Sequence, residues 1–211
     1  MRRLPVYLVI DVSGSMTGEP IEAVKNGIQT MLSALRKDPQ AVETAYLGLI
    51  SFSDTISSIP LTELSSFQPP KLVASGGTAL GGALSEVTKA AALEVNKGSQ
   101  EEKGDWKPLV FLMTDGMPTD NVDKGIAEFK AFKWGTVVAC AAGSGADTKL
   151  LSRITEIVVS LDTCDTNSIQ AFFKWVSSSI SVTSKRIETG AQPDQISQLP
   201  PPPQEINLLK F

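Results

Sequence analysis

Asp11, Ser13 and Ser15 are spaced two residues apart, directly after the apolar run Val6 to Ile10. In an extended segment alternate side chains point the same way, so one carboxylate and two hydroxyls can converge on a single point. These are hard oxygen donors, the chemistry of Mg2+ or Mn2+ rather than of zinc. The same stretch also suits an ordinary strand-to-helix turn in which Ser13 or Ser15 is the helix N-cap. Two distant segments offer related chemistry. Ser75-Gly76-Gly77-Thr78 is a glycine-rich loop ahead of an amphipathic stretch, and Leu109 to Met113 is an apolar run that leads into Thr114-Asp115-Gly116. The chain has no histidine, which removes Ser-His-Asp triads and Cys-His pairs.

To bring such residues together, the chain must deliver two strand ends to one crevice. Strand candidates are Val6 to Ile10, Ala45 to Phe52, Thr55 to Leu61, Leu109 to Thr114, Val137 to Ala142 and Ile157 to Leu161. Helix candidates are Ile21 to Leu35, Leu80 to Val95, Val122 to Phe132, Lys149 to Ile154 and Ser168 to Ser184. This alternation predicts an α/β fold: a doubly wound, mostly parallel six-stranded sheet with helices on both faces. The second and third strands are close enough for an antiparallel edge hairpin turning at Ser53-Asp54. Asp120 or Asn121 can cap the helix through Val122, Asp147 the short helix after it, and Asn167 the long last one. Ligands in such sheets gather beyond the carboxyl ends of strands where the strand order reverses.

Three of these segments together, Asp11-Val12-Ser13-Gly14-Ser15, then Thr78, then Asp115, resemble the metal-ion-dependent adhesion site of von Willebrand factor A domains. Every position of that family's site is occupied, in the family's order. Within it the chain most resembles bacterial TerY-type proteins of tellurite-resistance and stress gene clusters. Asp11 to Ile21, Ala74 to Leu84, Thr114 to Asp120, Ala141 to Asp147 and Ala171 to Val176 carry that likeness. The resemblance implies one antiparallel edge strand, and a bound Mg2+ (or Mn2+) with Ser13, Ser15 and Thr78 as direct ligands and Asp11 and Asp115 direct or through water. It implies a binding module rather than an enzyme, whose protein partner supplies an Asp or Glu to the metal. Kinase-like and PP2C-type phosphatase-like proteins of the same gene clusters are the implied partners. Met16, Thr17, Glu19, Met117, Pro118 and Asp120 would ring the metal, with either methionine able to lie buried under the loop. Asp120 reads better as a helix cap than as a ligand.

The competing chemistries lack their residues. A haloacid dehalogenase-like phosphatase needs a second acid two residues after Asp11, where Ser13 stands. No G-x-G-x-x-G follows the first strand, Gly143-Ser144-Gly145 is only a partial pattern, and no Walker A sequence occurs. An Mg-dependent hydrolase at Asp11 and Asp115 is the remaining alternative, and it wants more carboxylates.

The 211 residues fit a domain over 1–187 and a proline-rich tail over 188–211. A formal charge of −4 offers no basic field for nucleic acid. The apolar run at the start is too short for a membrane span, and Met1 to Pro5 is too short for an export signal. Together with Cys140 and Cys164 read as free thiols, this predicts a cytoplasmic setting. The tail contains Pro200 to Pro203, which favours polyproline II. Its Ile206, Leu208, Leu209 and Phe211 are apolar enough to dock it as an extended arm on the domain or on a neighbour.

Overall fold

The computed structural model describes residues 2–99, 101–188 and 199–211. In chain order the elements are β1 (Leu4–Asp11), a 3-10 turn (Gly14–Met16), α1 (Glu19–Leu35), α2 (Pro39–Thr44), β2 (Ala45–Phe52) and β3 (Ile56–Glu63). They continue with α3 (Leu80–Glu94), β4 (Leu109–Thr114), α4 (Val122–Ala131), β5 (Val137–Ala142), α5 (Thr148–Ile154), β6 (Ile157–Leu161), α6 (Thr166–Glu188) and β7 (Asn207–Leu209). One sheet holds all seven strands in the order β3-β2-β1-β4-β5-β6-β7. The five central strands are parallel, and β3 and β7 run antiparallel at the two edges.

Period-two alternation decides which helix meets which face. Leu4, Val6, Leu8 and Ile10 of β1 join the core beneath α1 and α6, while Tyr7 and Val9 join the core beneath α3, α4 and α5. A strand buried on both faces reads as an unbroken apolar run, which is the pattern of β1, whose residues are all buried. The exposed pattern of β3 marks it as an edge.

The architecture is the doubly wound α/β fold that the sequence predicts, with seven strands in place of six. The seventh comes from the tail, where a short strand pairs Asn207 with Ser160 and Leu209 with Val158. Ile206 is buried, and Trp175 Nε1 of α6 donates to Pro200 O at 2.8 Å. The tail expected over 188–211 falls partly outside the described residues, at 189–198. Helix α2 was not expected. It has one and a half turns and therefore no readable periodicity, and its start is marked only by Asp38, which accepts from Gln40 N, followed by Pro39. At α6 the N-terminal capping residue is Asp165, which accepts from Ser168 N at 2.8 Å, and not Asn167. Among the described residues no helix is long and apolar enough to cross a membrane.

Candidate metal centre

From β1 the chain turns to β2 on one side and later returns to β4 on the other, so the order reverses between β1 and β4. Asp11 closes β1 and is fully buried. Its Oδ1 accepts from Ser13 N at 2.8 Å and its Oδ2 from Thr114 Oγ1 at 2.5 Å. The first bond folds the chain into the 3-10 turn, and the second ties the ends of β1 and β4 together. Met16 is fully buried and anchors the turn from below. Ser13 Oγ lies 3.0 Å from Ser15 Oγ, and Ser15 Oγ donates to Asp115 Oδ1 at 2.7 Å. Asp11, Ser13, Ser15 and Asp115 are thus brought together, although the two acids are about a hundred residues apart in sequence.

Thr78 arrives on its own loop, which backbone bonds hold against the first. Ser75 N donates to Val12 O and Gly14 N to Gly76 O, both at 2.9 Å. Gly77 N donates to Asp54 Oδ1 at 2.9 Å. Gly76 has φ of 75°, a left-handed conformation that glycine adopts without strain. A Cβ there would also overlap the Asp54 carboxylate. Thr78 N donates to Thr119 Oγ1, and Thr119 N returns a bond to Thr78 O, both at 2.9 Å. A Cβ on Gly116 would stand 3.5 Å from Thr78 Oγ1 and 3.6 Å from Ser15 Oγ, so the two hydroxyls flank that glycine. Thr78 is only 4% exposed, and its hydroxyl, without a hydrogen-bond partner among the described residues, opens to solvent; the one fully buried unpaired side-chain polar atom among them is Trp106 Nε1.

All five sequence-predicted site residues therefore share one crevice. Burial pushes the Asp115 carboxyl above its ordinary range; the Ser15 hydrogen bond opposes this and the charge of Asp11 adds to it. No lysine or arginine is paired with either acid in the described ion pairs. The donor set is two carboxylates and three hydroxyls, with no nitrogen or sulfur. Such a set fits a hard divalent cation. A protein-only charge cluster is no guide to it: no group of three acidic, histidine or cysteine side chains suited to a metal occurs among the described residues.

The expected ring around the centre is only partly present. Met117 is 60% exposed and Thr17 is exposed, whereas Met16 is the methionine under the loop. Glu19 is drawn to α6, accepting from Thr166 N and Oγ1. Asp120 does not cap α4, where Asn121 accepts from Asp123 N. It crosses to the start of α3, accepting from Gly81 N at 3.1 Å and Gly82 N at 2.8 Å. Gly81 and Gly125 make this possible, since a side chain on either would collide with the other helix or its cap. Three supporting residues escaped the sequence reading: Thr114, Thr119 and Asp54. Thr114 lies within the T-D-G signal, but nothing local marks Thr119 or Asp54 as partners of the distant Thr78 loop. Cys164 lies near the centre, where its Sγ donates to Ala142 O at 2.7 Å. Burial, with Asp115 second, pushes its thiol up to about 11, so it is protonated and unreactive at neutral pH.

Comparison with known proteins places this arrangement. The von Willebrand factor type A domain matches residues 6–175. Inter-alpha-trypsin inhibitor heavy chain H6 of Homo sapiens is 30% identical over 171 residues, 71% of this chain; the chain spans only 12% of that relative. A solved structure of proximal thread matrix protein 1 from the mussel byssus, described as having a zinc-occupied MIDAS motif, overlays with a TM-score of 0.61 at 18% identity, over 84% of this chain and 48% of that one. A von Willebrand factor type A protein from Catenulispora acidiphila overlays with a TM-score of 0.64 at 16% identity, over 86% and 43%. At those identities the overlays speak for the fold alone, and the extended sequence match supplies the family: the chain belongs to the von Willebrand factor type A domain family.

Proposed function

We propose that this chain is a metal-dependent protein-binding module. Asp11, Ser13, Ser15, Thr78 and Asp115 would hold one Mg2+ (or Mn2+), and a partner protein would offer it an Asp or Glu side chain. The observation that carries this reading is the Thr78 hydroxyl, on a nearly buried residue and without a protein partner, facing the Ser15 hydroxyl across Gly116. When bound, the ion supplies positive charge and an exchangeable coordination position. The chain's own residues do the rest. Three neutral hydroxyls would contact the ion without compensating its charge, which would be left to Asp11 and Asp115, and the Thr114 bond fixes the Asp11 carboxylate in place. Without the ion, Asp11 and Asp115 repel an incoming acid. The donor set supports binding over hydrolysis, because the neighbouring carboxylates of Asp54 and Asp120 are engaged by backbone amides of the Thr78 loop and of α3 rather than set to act as a base.

The resemblance to TerY-type proteins carries the finer reading: a bacterial, cytoplasmic component of a tellurite or metal-stress response that partners a kinase-like and a PP2C-type phosphatase-like protein. The test is capture of those candidate proteins by the whole chain in Mg2+ and in EDTA, beside Thr78→Ala. Capture in Mg2+ that is lost in EDTA and in folded Thr78→Ala is expected. Equal capture in all three would refute metal-dependent recognition.

A further inference from the structure

Six segments crowd the carboxyl ends of the parallel strands: residues 11–18, 53–55, 74–79, 115–121, 143–147 and 162–165. They contain seven aspartates, Asp11, Asp54, Asp115, Asp120, Asp147, Asp162 and Asp165, and no lysine or arginine. All 19 cationic residues lie elsewhere. Lys71, three residues before the Thr78 segment, lies in an exposed irregular stretch, and other cations next in sequence sit inside the helices that leave this face. Lys25 is paired with Glu22 at 2.7 Å and Lys124 with Glu128 at 3.7 Å, and Lys149 is the second residue of α5. The rim aspartates are occupied by neutral donors. Asp54 takes Gly77 N, Asp120 takes Gly81 N and Gly82 N, Asp147 takes Leu150 N, Asp165 takes Ser168 N, and Asp162 takes Asn207 Nδ2. The helix N-termini of α3, α5 and α6 offset part of the charge of Asp120, Asp147 and Asp165, whereas Asp54 and Asp162 have no helix end against them, so the rim remains net negative around the crevice. Asp54 and Asp162 are exposed.

One ion can neutralise Asp11 and Asp115 only. Of the other five aspartates, Asp54 and Asp162 are exposed to whatever approaches, and charges within about 8 Å act on it with little screening at physiological salt. An acidic side chain in an acidic segment would meet the ion at the centre and repulsion at the border. An acidic side chain in a basic segment would meet attraction at both. Resting on the metal-dependent reading above, we propose that the recognised partner is a basic segment: a single Asp or Glu flanked by lysine or arginine. The ion takes the carboxylate, and the aspartate rim takes the flanking cations, which sets specificity and association rate more than it sets the final contact. Thr78 is among the residues that would hold the ion, and Asp54 and Asp162 are the exposed aspartates of the rim.

The probe is a set of synthetic peptides of one length, each with a central Asp flanked on both sides by lysines, by serines or by glutamates. Fluorescence anisotropy with the whole chain in saturating Mg2+ and low salt reads their affinities. Lysine-flanked peptide should bind about tenfold more tightly than serine-flanked peptide, and glutamate-flanked peptide weakest, with the lysine advantage shrinking as salt is raised. Asp162→Asn, which keeps an acceptor oxygen for Asn207 Nδ2 and lies outside the Thr78 loop, should cut that advantage about twofold while leaving serine-flanked affinity unchanged. Replacing the central Asp by Asn should abolish binding, as should EDTA. Serine- and lysine-flanked peptides binding equally, both lost in EDTA, would overturn the basic-partner proposal and leave the metal reading intact. Lysine-flanked binding that survives EDTA and the central Asn would mean adsorption to the rim, and would overturn both. No binding of the lysine-flanked peptide would overturn the proposal as well.

Discussion

Asp120→Ala tests whether the loop after β4 is stitched to the helix that follows the Thr78 loop. Helix α3 begins after Ala79, which offers no side-chain cap, so its first amide groups depend on another part of the chain. Asp120 supplies both oxygens, to Gly81 N at 3.1 Å and Gly82 N at 2.8 Å. Loss of a capping side chain costs about 0.5–2 kcal/mol, and hydrogen bonds to a charged group are worth about 1.5–3 kcal/mol. The site is half-buried, so a cost of about 1.5–2 kcal/mol is reasonable once solvent screening is counted. In a chain of this size each kcal/mol moves Tm by about 2–4 °C, which gives a fall of about 3–8 °C. Asp120→Asn keeps one acceptor oxygen and should lose about half as much. The same carboxylate tethers the Asp115 loop to α3 beside Thr78, so the rise in Tm on adding Mg2+ should also be smaller in Asp120→Ala. Thermal melts with and without Mg2+ read both effects. An Asp120→Ala protein that melts within about 1 °C of wild type would refute the capping argument.

Saturating Mg2+ should stabilise the wild-type protein by about 2.7 kcal/mol at a hundred times its Kd, and thermal melts of Asp11→Ala should show no such gain. Burial raises the Asp115 pKa, so in metal-free protein its contribution to stability is complete below the ordinary value of 3.8 and is lost as pH rises through the raised one. Metal-free Asp115→Asn should therefore be more stable than wild type in urea melts at pH 7 but not at pH 3, and should no longer respond to Mg2+. A Cβ at Gly27 of α1 would overlap the Phe173 ring of α6. Gly27→Ala should cost about 1–3 kcal/mol by overpacking, and adding Phe173→Leu should recover part of it in a double-mutant cycle by urea unfolding.

The meeting of Asp11 and Asp115 was legible because both stand at strand ends. An apolar run that stops at Asp11 or at Thr114 announces both a buried strand and the position of the acid that follows. The Asp120 assignment shows what such reading misses. Sequence places it beside Val122, and only the close crossing of Gly81 and Gly125 lets it reach α3 instead. Asp54 and Thr119 were invisible for the same reason, since their partners Gly77 and Thr78 are 23 and 41 residues away. Strand β7 was hidden by its length. Three residues after a proline run carry no periodicity, and only the open edge of β6 makes them a strand.

Placing β1 in the middle of the sheet has a consequence for synthesis. Residues 4–11 leave the ribosome before the other strands of the sheet, and β2 and β3 can cover one side of them once Glu63 has emerged. The other side waits for β4, which ends at Thr114. At a translation rate of about 5–20 residues per second that interval lasts roughly 3–10 s. Throughout it, a strand whose residues are all buried in the finished fold presents a bare row of amides and carbonyls, a ready template for pairing with another nascent chain. The Thr114–Asp11 bond closes that window, so the crevice is completed in the same step that ends the period of greatest aggregation hazard.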